Sequence, residues 1–354
     1  MLLASSSQYG RPWLGLALFL PVLLGGGPVL SVESPPPGIS GMASIGQDSF
    51  LAVHDLKSFE DGMRVSVIRT SSGKNYETVP VQVAGWEKES RRSSDLEAVC
   101  SLSQHNNQYL LVESGSWNGR KGRLFHISFD EFDDPLRATL IKEYELPIFN
   151  AKGNDPEARG DAEEEGDEFE GLACIHRGDG QYLILLAERG GSGPFPHGII
   201  RWFYLEPQSN KGPEWTAAGR KGVTVIAPGS WPDPLKNRDI SALHVQDDTL
   251  WAAASYEFEG SEEDPRTGTT GSFYSVIYRI GDVDVNADVP IRDYCADDTF
   301  DCTGEDSRSP YKVWREIAGF KVEGLAGPPQ SIGRSALSFG TEDERFGGVW
   351  RPIR

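Results

Sequence analysis

Carboxylates recur in this chain at one fixed place in a short motif, and acids that share a position in a repeat can converge on one point in space. The motif reads Asp95-Leu96-Glu97-Ala98-Val99, then Glu168-Phe169-Glu170-Gly171-Leu172-Ala173. It returns as Asp239-Ile240-Ser241-Ala242-Leu243 and as Lys321-Val322-Glu323-Gly324-Leu325-Ala326. A fainter copy, Gly38-Ile39-Ser40-Gly41-Met42-Ala43, precedes them. Glu97, Glu170 and Glu323 occupy equivalent positions, with Ser241 and Ser40 in the remaining copies. Further on, Glu113 and Glu188 match each other, and His54 takes that place in the first copy. Asp95, Glu168 and Asp239 stand two residues before the motif acid, on the same side of an extended strand. Carboxylates gathered in a confined space cannot all stay ionised: some take up protons, or a cation sits between them. Oxygen-only ligands favour a hard cation such as calcium or magnesium. The expected metal set is Glu97, Glu113, Glu170, Glu188 and Glu323, with Glu170 or Glu188 as catalytic general base. The competing expectation is structural: these acids accept backbone hydrogen bonds and hold the repeats in register.

The elements that must position these residues are strands. After each motif come a polar turn, a second apolar run, a variable loop and a third run, as in Gln108-Tyr109-Leu110-Leu111-Val112-Glu113 followed by Arg123-Leu124-Phe125-His126-Ile127-Ser128-Phe129. Such runs are short, aromatic or β-branched, and bounded by Gly, Asp and Asn, which is strand chemistry. A fourth run often follows, at 76–85, 138–147, 222–228 and 311–319. Four strands per repeat predict an all-β chain folded as a β-propeller. Five four-stranded blades are expected, beginning near Gly38, Asp95, Glu168, Asp239 and Lys321, or six if a degenerate blade lies in 280–315. The last blade lacks a fourth run, which residues 29–33 could supply. A β-sandwich is the alternative, but it gives no reason for a motif in phase with the strands. In a propeller the first strand of each blade lines the central channel, so the motif acids would ring its axis.

The formal charge of -19 excludes a phosphate-backbone binder, which needs clustered Lys and Arg. It favours cations or cationic partners, or simply a soluble acidic surface. The 40 glycines suit many tight turns. Arg11, then an apolar run from Trp13 to Leu24, then small residues up to Ser31, predict a signal peptide over 1–31 and an exported protein. An uncleaved membrane anchor is the alternative, and 32–354 form one propeller domain. Four cysteines fit export. Cys295 and Cys302 are expected to pair locally, whereas Cys100 and Cys174 read as small buried residues. Acidic insertions at 154–167 and 257–271 are expected as loops that could shape a site.

Other chemistries find little support. Asp282, Asp284, Asn286 and Asp288, with Asp293 beyond, resemble a calcium loop, but Ala287 stands where Gly is needed, so an exposed acidic turn is expected. There is no Gly-x-Ser-x-Gly elbow and no phosphate loop. The histidines lack zinc spacing, and His176 and His244 are expected at surface turns. Trp117, Trp231 and Trp251 are expected in blade packing.

The acid-x-Glu-Gly/Ala-Leu/Val motif, followed by a strand ending in Glu, resembles the phytase-like (esterase-like phytase) β-propeller family over roughly 38–353. The resemblance implies phosphoester chemistry carried by Glu97, Glu113, Glu170, Glu188 and Glu323, with calcium as cofactor and a small-molecule phosphoester as partner. Ser241 and the acid-free first copy depart from a complete ring. Arg189 and Arg334 are the candidates for holding phosphate, although strand alternation puts Arg189 on the face opposite Glu188. The expectation is a monomeric calcium-assisted phosphoester hydrolase, met by the membrane only if its N-terminus stays uncleaved. A non-catalytic ligand- or protein-binding propeller with structural calcium is the alternative, and a metal-dependent lactone or ester hydrolase a third.

Overall fold

A computed structural model describes residues 37–353 except 57–61, 72–74, 87–94, 104, 106, 115–121, 130–135, 150–167, 192–194, 234–235, 259–262, 265–268, 271, 294–308, 331–335 and 343–346. The N-terminal segment 1–36, residues 29–33 within it, Cys295, Cys302, Trp117, Arg334 and the insertion 154–167 lie outside the described residues. Among those described, no helix is long and apolar enough to cross a membrane.

The alternating runs form antiparallel sheets. Blade one is β1 (Gly41–Ser44), β2 (Ser49–Val53), β3 (Val65–Thr70) and β4 (Tyr76–Pro80). Next, β5 (Gln82–Ala84) runs parallel to the outer strand of blade two, which comprises β6 (Leu96–Ser101), β7 (Gln108–Glu113), β8 (Arg123–Phe129) and β9 (Arg137–Glu145). Blade three is β10 (Phe169–Gly178), β11 (Gln181–Glu188), β12 (Gly198–Leu205) and, after the short α1 (Ala217–Lys221), β13 (Val223–Val225). Blade four is β14 (Arg238–Gln246), β15 (Thr249–Glu257) and β18 (Phe273–Val283); β16 (Glu263–Asp264) and β17 (Thr269–Thr270) form a small hairpin in its insertion. Its outer edge is shared by β19 (Ile291–Asp293) and β20 (Val313–Ala318), both paired with β18. Blade five is β21 (Val322–Ala326), β22 (Leu337–Thr341) and β23 (Val349–Ile353).

Five blades is thus the count, because β19 and β20, on either side of 294–308, both pair with the outer edge of blade four. The inner strands touch in the order β1, β6, β10, β14, β21 and back to β1, closing a ring. The apolar core divides the same way, one layer per pair of neighbouring blades. The layer that closes the circle sets Trp350 of blade five against Phe50 and Tyr76 of blade one. Ile39 N–H donates to Thr341 O at 2.8 Å across the same seam. Burying such large side chains stabilises by about 1.5–3 kcal/mol each, which favours ring closure over an open sheet.

The small residue of the motif has a packing reason. A Cβ on Gly171 would lie 2.7 Å from Leu243 Cγ in the next inner strand, and one on Gly41 would lie 2.7 Å from Ala98 Cα. Only a missing side chain lets these strands approach so closely.

Two expectations are corrected here. Cys100 and Cys174 are joined by a disulfide, with Cα atoms 5.6 Å apart; equivalent positions on adjacent inner strands stand side by side, within disulfide reach. His244 is half-buried in β14 and not on a surface turn. Trp231 is buried in the core and Trp251 packs edge-on against Trp314 at the layer between blades four and five, so both stand in the expected blade packing. Asp282, Asp284 and Asp288 are exposed, and Asp284 accepts from Asn286 N–H at 3.0 Å, so this segment is the expected acidic turn.

Candidate functional site

Pairing between the first two strands slips at the motif in four blades. The register shifts between Leu96 and Ala98, Phe169 and Gly171, and Val322 and Gly324, leaving Glu97, Glu170 and Glu323 as the extra residue each time. The corresponding slip in blade four spans Arg238 to Ala242. A bulge of this kind bends the strand and re-aims its side chain. Here it sends three equivalent glutamates to one end of the channel, where the inner strands begin.

They do not stand alone. Arg238 reaches from β14 and donates through Nη1 to Glu170 Oε1 at 2.9 Å and to Glu323 Oε1 at 3.1 Å, spanning blades three and five. Arg189 donates to Glu170 Oε1 at 3.2 Å and also pairs with Glu168. Its position opposite Glu188, set by strand alternation, is what turns it toward the channel. Lys321 lies 2.7 Å from Glu323 Oε1 and pairs with Glu342. Asp55, Asp95 and Glu97 form a further group in which one oxygen from each lies within 4.8 Å of the other two, the only such trio among the described residues. Among the described residues, seven carboxyls therefore share this mouth with three cations.

The charge imbalance shows in the proton affinities. Asp55 has much of its surface open, yet the protein packed around its carboxyl, then the Glu342 and Asp95 charges, push it up to about 7. Burial, then Asp55, Glu170, Glu323 and Glu342, push Glu97 well up. Glu323 is also raised well above its ordinary value, first by burial and then by Glu342, with Lys321 opposing. Burial works against the Glu342 charge, but Lys321, a hydrogen bond with Glu323 and Arg238 hold it at about 2. Buried Glu170 Oε2 and Glu323 Oε2 have no hydrogen-bond partner among the described residues. An unpaired buried acceptor costs about 1–3 kcal/mol, a cost that a cation or a proton would relieve.

Glu113 and Glu188 are placed differently. Glu113 is clasped by Arg123, Nε to Oε2 at 2.7 Å and Nη2 to Oε1 at 2.6 Å, with Arg64 Nη2 3.8 Å away. Glu188 accepts from Arg201 Nε, and that guanidinium lies over the Phe149 ring. Both acids are buried on second strands, and neither is among the charges that act on Glu97. In blade one the matching His54 bonds Gly38 O at 2.6 Å and Ser66 Oγ at 2.8 Å, and burial lowers it to about 4. Asp239 has a register role: its carboxylate accepts from Ala227 N–H, Asn237 Nδ2 and Gly198 N–H at 2.8, 2.8 and 3.1 Å. Ser241 Oγ donates to Val322 O at 2.6 Å, tying blade four to blade five.

Sequence reading of the motif acids misses Asp55, Glu342, Arg238 and Lys321 as members of the site. A signal exists: Asp55, Arg189 and Glu342 each stand one residue after the matching positions His54, Glu188 and Thr341 at the end of a second strand, and Lys321 holds the place of Asp95 and Glu168 in its copy. Arg238 has no counterpart in the other copies.

No family model matches the chain, and no curated protein matches it. Among solved structures it is similar to a glycosyl hydrolase from Bacteroides ovatus, with 11% identity over 91% of this chain and 87% of that one and a TM-score of 0.48. It is similar to an α-L-arabinanase from Cellvibrio cellulosa, with 11% identity over 90% and 92% and a TM-score of 0.44. A levansucrase from Bacillus subtilis gives 8% identity over 90% and 80% and a TM-score of 0.45. The phytase-like resemblance is not confirmed by any family model, so the chemistry of this chain is argued from its own residues.

Proposed function

We propose that the acidic mouth of the channel is a calcium-assisted centre for phosphoester hydrolysis. The observation that carries this reading is the Asp55, Asp95 and Glu97 trio, each offering one oxygen within 4.8 Å of the others', beside a row of further acids. The donor set fits the ion: it is all oxygen, it is over-supplied with negative charge, and nearby Glu170 and Glu323 each carry an unpartnered buried oxygen. Bound calcium would supply positive charge for a phosphoryl group and acidify a water.

The chain's own residues supply the rest. Arg189 and Arg238 keep a quarter of their side-chain surface open and Lys321 about an eighth, so each can turn donors toward an anionic substrate without leaving its glutamate. That cationic lining favours a phosphoester over a neutral lactone. Asp55, poised at about 7, suits proton transfer near neutral pH. Glu170, already among the expected bases, acts with Asp55 on the Glu97 carboxyl. Glu188 is occupied by Arg201 and is assigned to structure, as is Glu113 by Arg123. The Cys100–Cys174 bridge and the apolar N-terminal run support a protein exported to an oxidising compartment.

The test is phosphate release from a panel of phosphoesters, with calcium and with chelator, alongside a lactone panel. Release that needs calcium and disappears in Glu97→Gln is expected. Lactone hydrolysis alone would give the ester-hydrolase reading. No turnover of either panel by folded protein would leave a binding propeller, with Arg238 and its two glutamates as a girdle between blades.

A further inference from the structure

The inner strands end at a second mouth of opposite character. There β1, β6, β10 and β14 enclose a cavity of about 290 Å³, room for about ten water molecules. Its walls include Met42, Val99, Leu172 and Leu243, together with the disulfide-linked residues Cys100 and Cys174. Among the described residues no Asp, Glu, Lys or Arg lines it. Polar character comes from serine hydroxyls at the rim, Ser44, Ser101 and Ser103, and from one imidazole, His244.

His244 Nε2 is a buried nitrogen with no hydrogen-bond partner among the described residues. Burial lowers His244 to about 4, so the ring is neutral at ordinary pH and can accept one hydrogen bond through an unprotonated nitrogen. Blade five leaves space at this level: a Cβ on Gly327 would have only Ser44 Oγ at 3.7 Å and His244 Nε2 at 3.9 Å for neighbours. Sulfur atoms beside an apolar wall favour the edge of an aromatic ring. A pocket that is mostly apolar with few convergent polar groups is the ordinary form of a small-molecule site.

We propose that this mouth is a second ligand site, taking a small uncharged aromatic alcohol whose ring lies against Met42 and the disulfide and whose hydroxyl donates to His244 Nε2. It is separate from the acidic mouth and does not depend on the function assigned there. A carboxylate-bearing analogue is excluded, because nothing charged lines the cavity to compensate its burial.

The experiment is calorimetric titration and saturation-transfer NMR of the full chain with p-cresol, with toluene and benzoate as comparators, all in chelator. Binding of p-cresol with a Kd on the order of 0.1–1 mM is expected for a ligand of this size. Toluene, lacking the hydroxyl, should bind about tenfold more weakly, and benzoate should not bind. His244→Leu should bring p-cresol down to the level of toluene, and Ser101→Phe at the rim should block both. Benzoate binding as well as p-cresol would overturn the proposal, as would p-cresol binding that Ser101→Phe leaves unchanged. If His244→Leu does not fold, Ser101→Phe and the comparator ligands decide the matter alone. The readout is binding without turnover, so failure here is distinct from failure of the hydrolase reading.

Discussion

Two rows of glutamates run through this propeller, one residue apart in depth and opposite in circumstance. The second-strand row, Glu113 and Glu188, is buried and met by Arg123 and Arg201. The first-strand row, Glu97, Glu170 and Glu323, stands at bulges around the channel and outnumbers its cations. The difference teaches that an acid repeated in sequence acquires its role from the charge it faces. An arginine on the neighbouring strand makes it an anchor, whereas other carboxylates make it a group in want of a proton or a cation.

The comparison breaks most visibly in the second row. Glu113→Ala removes the acid that Arg123 clasps and leaves that guanidinium with Glu143 at 3.4 Å, and losing one partner of a buried pair costs about 3–5 kcal/mol. Denaturant unfolding should show that loss without calcium playing any part; an effect under about 1 kcal/mol would place Glu113 with the channel acids instead.

The disulfide tests how rigidly the first row is held, since Cys100 and Cys174 lie on the strands that carry Glu97 and Glu170. As they stand 74 residues apart in the chain, replacing both by serine should cost about 2–4 kcal/mol. Thermal unfolding with and without reductant checks this, and only the unsubstituted protein should respond to reductant.

Glu97→Gln sharpens the contrast from the other side. Calcium affinity, read by titration, should fall on the order of 100-fold, because ligand charge sets the strength of such sites. Metal-free stability should hold or rise, since burial and like charges already oppose ionisation of Glu97. A substitution that weakens folding and leaves calcium binding intact would move Glu97 into the anchoring row.

The smallest effect is a slope. Asp55 in the folded protein is raised to about 7 from an ordinary 3.8, so between these values the folded state holds a proton that the unfolded chain has released. Stability from this group is therefore present below about 3.8 and lost as pH rises through 7. The buried histidines His54 and His126, lowered to about 4, act the other way, losing stability as pH falls from 6.5 through 4. The difference between the parent and Asp55→Asn isolates the carboxyl: the advantage of the parent should shrink as pH rises from about 4 to 7. Calcium should reduce that dependence by taking the place of the proton. A pH-independent difference would mean that Asp55 titrates as an ordinary surface acid.

Much of the fold is legible in the chain. Runs bounded by Gly, Asp and Asn give the strands, and a motif in phase with them gives the blades, because each blade must repeat the same pattern to bury both faces against its neighbours. The run at 311–319 is found as an outer strand even though some thirty residues separate it from β18. The cysteine pair is not legible, since adjacency of two inner strands is a distance, and residues 74 apart carry no mark of it.

The sequence by itself determined that the chain is a propeller and that acids recur on its inner strands, because both follow from local periodicity and from residue type. Tertiary structure alone decided which acids meet. The bulge at Glu97, Glu170 and Glu323, the reach of Arg238 across two blades, and the arrival of Asp55 and Glu342 from second-strand ends are products of ring closure. Whether a carboxylate is neutralised by arginine or left for a cation depends on distances of a few ångströms between segments far apart in the chain, and these exist only once the five blades have closed.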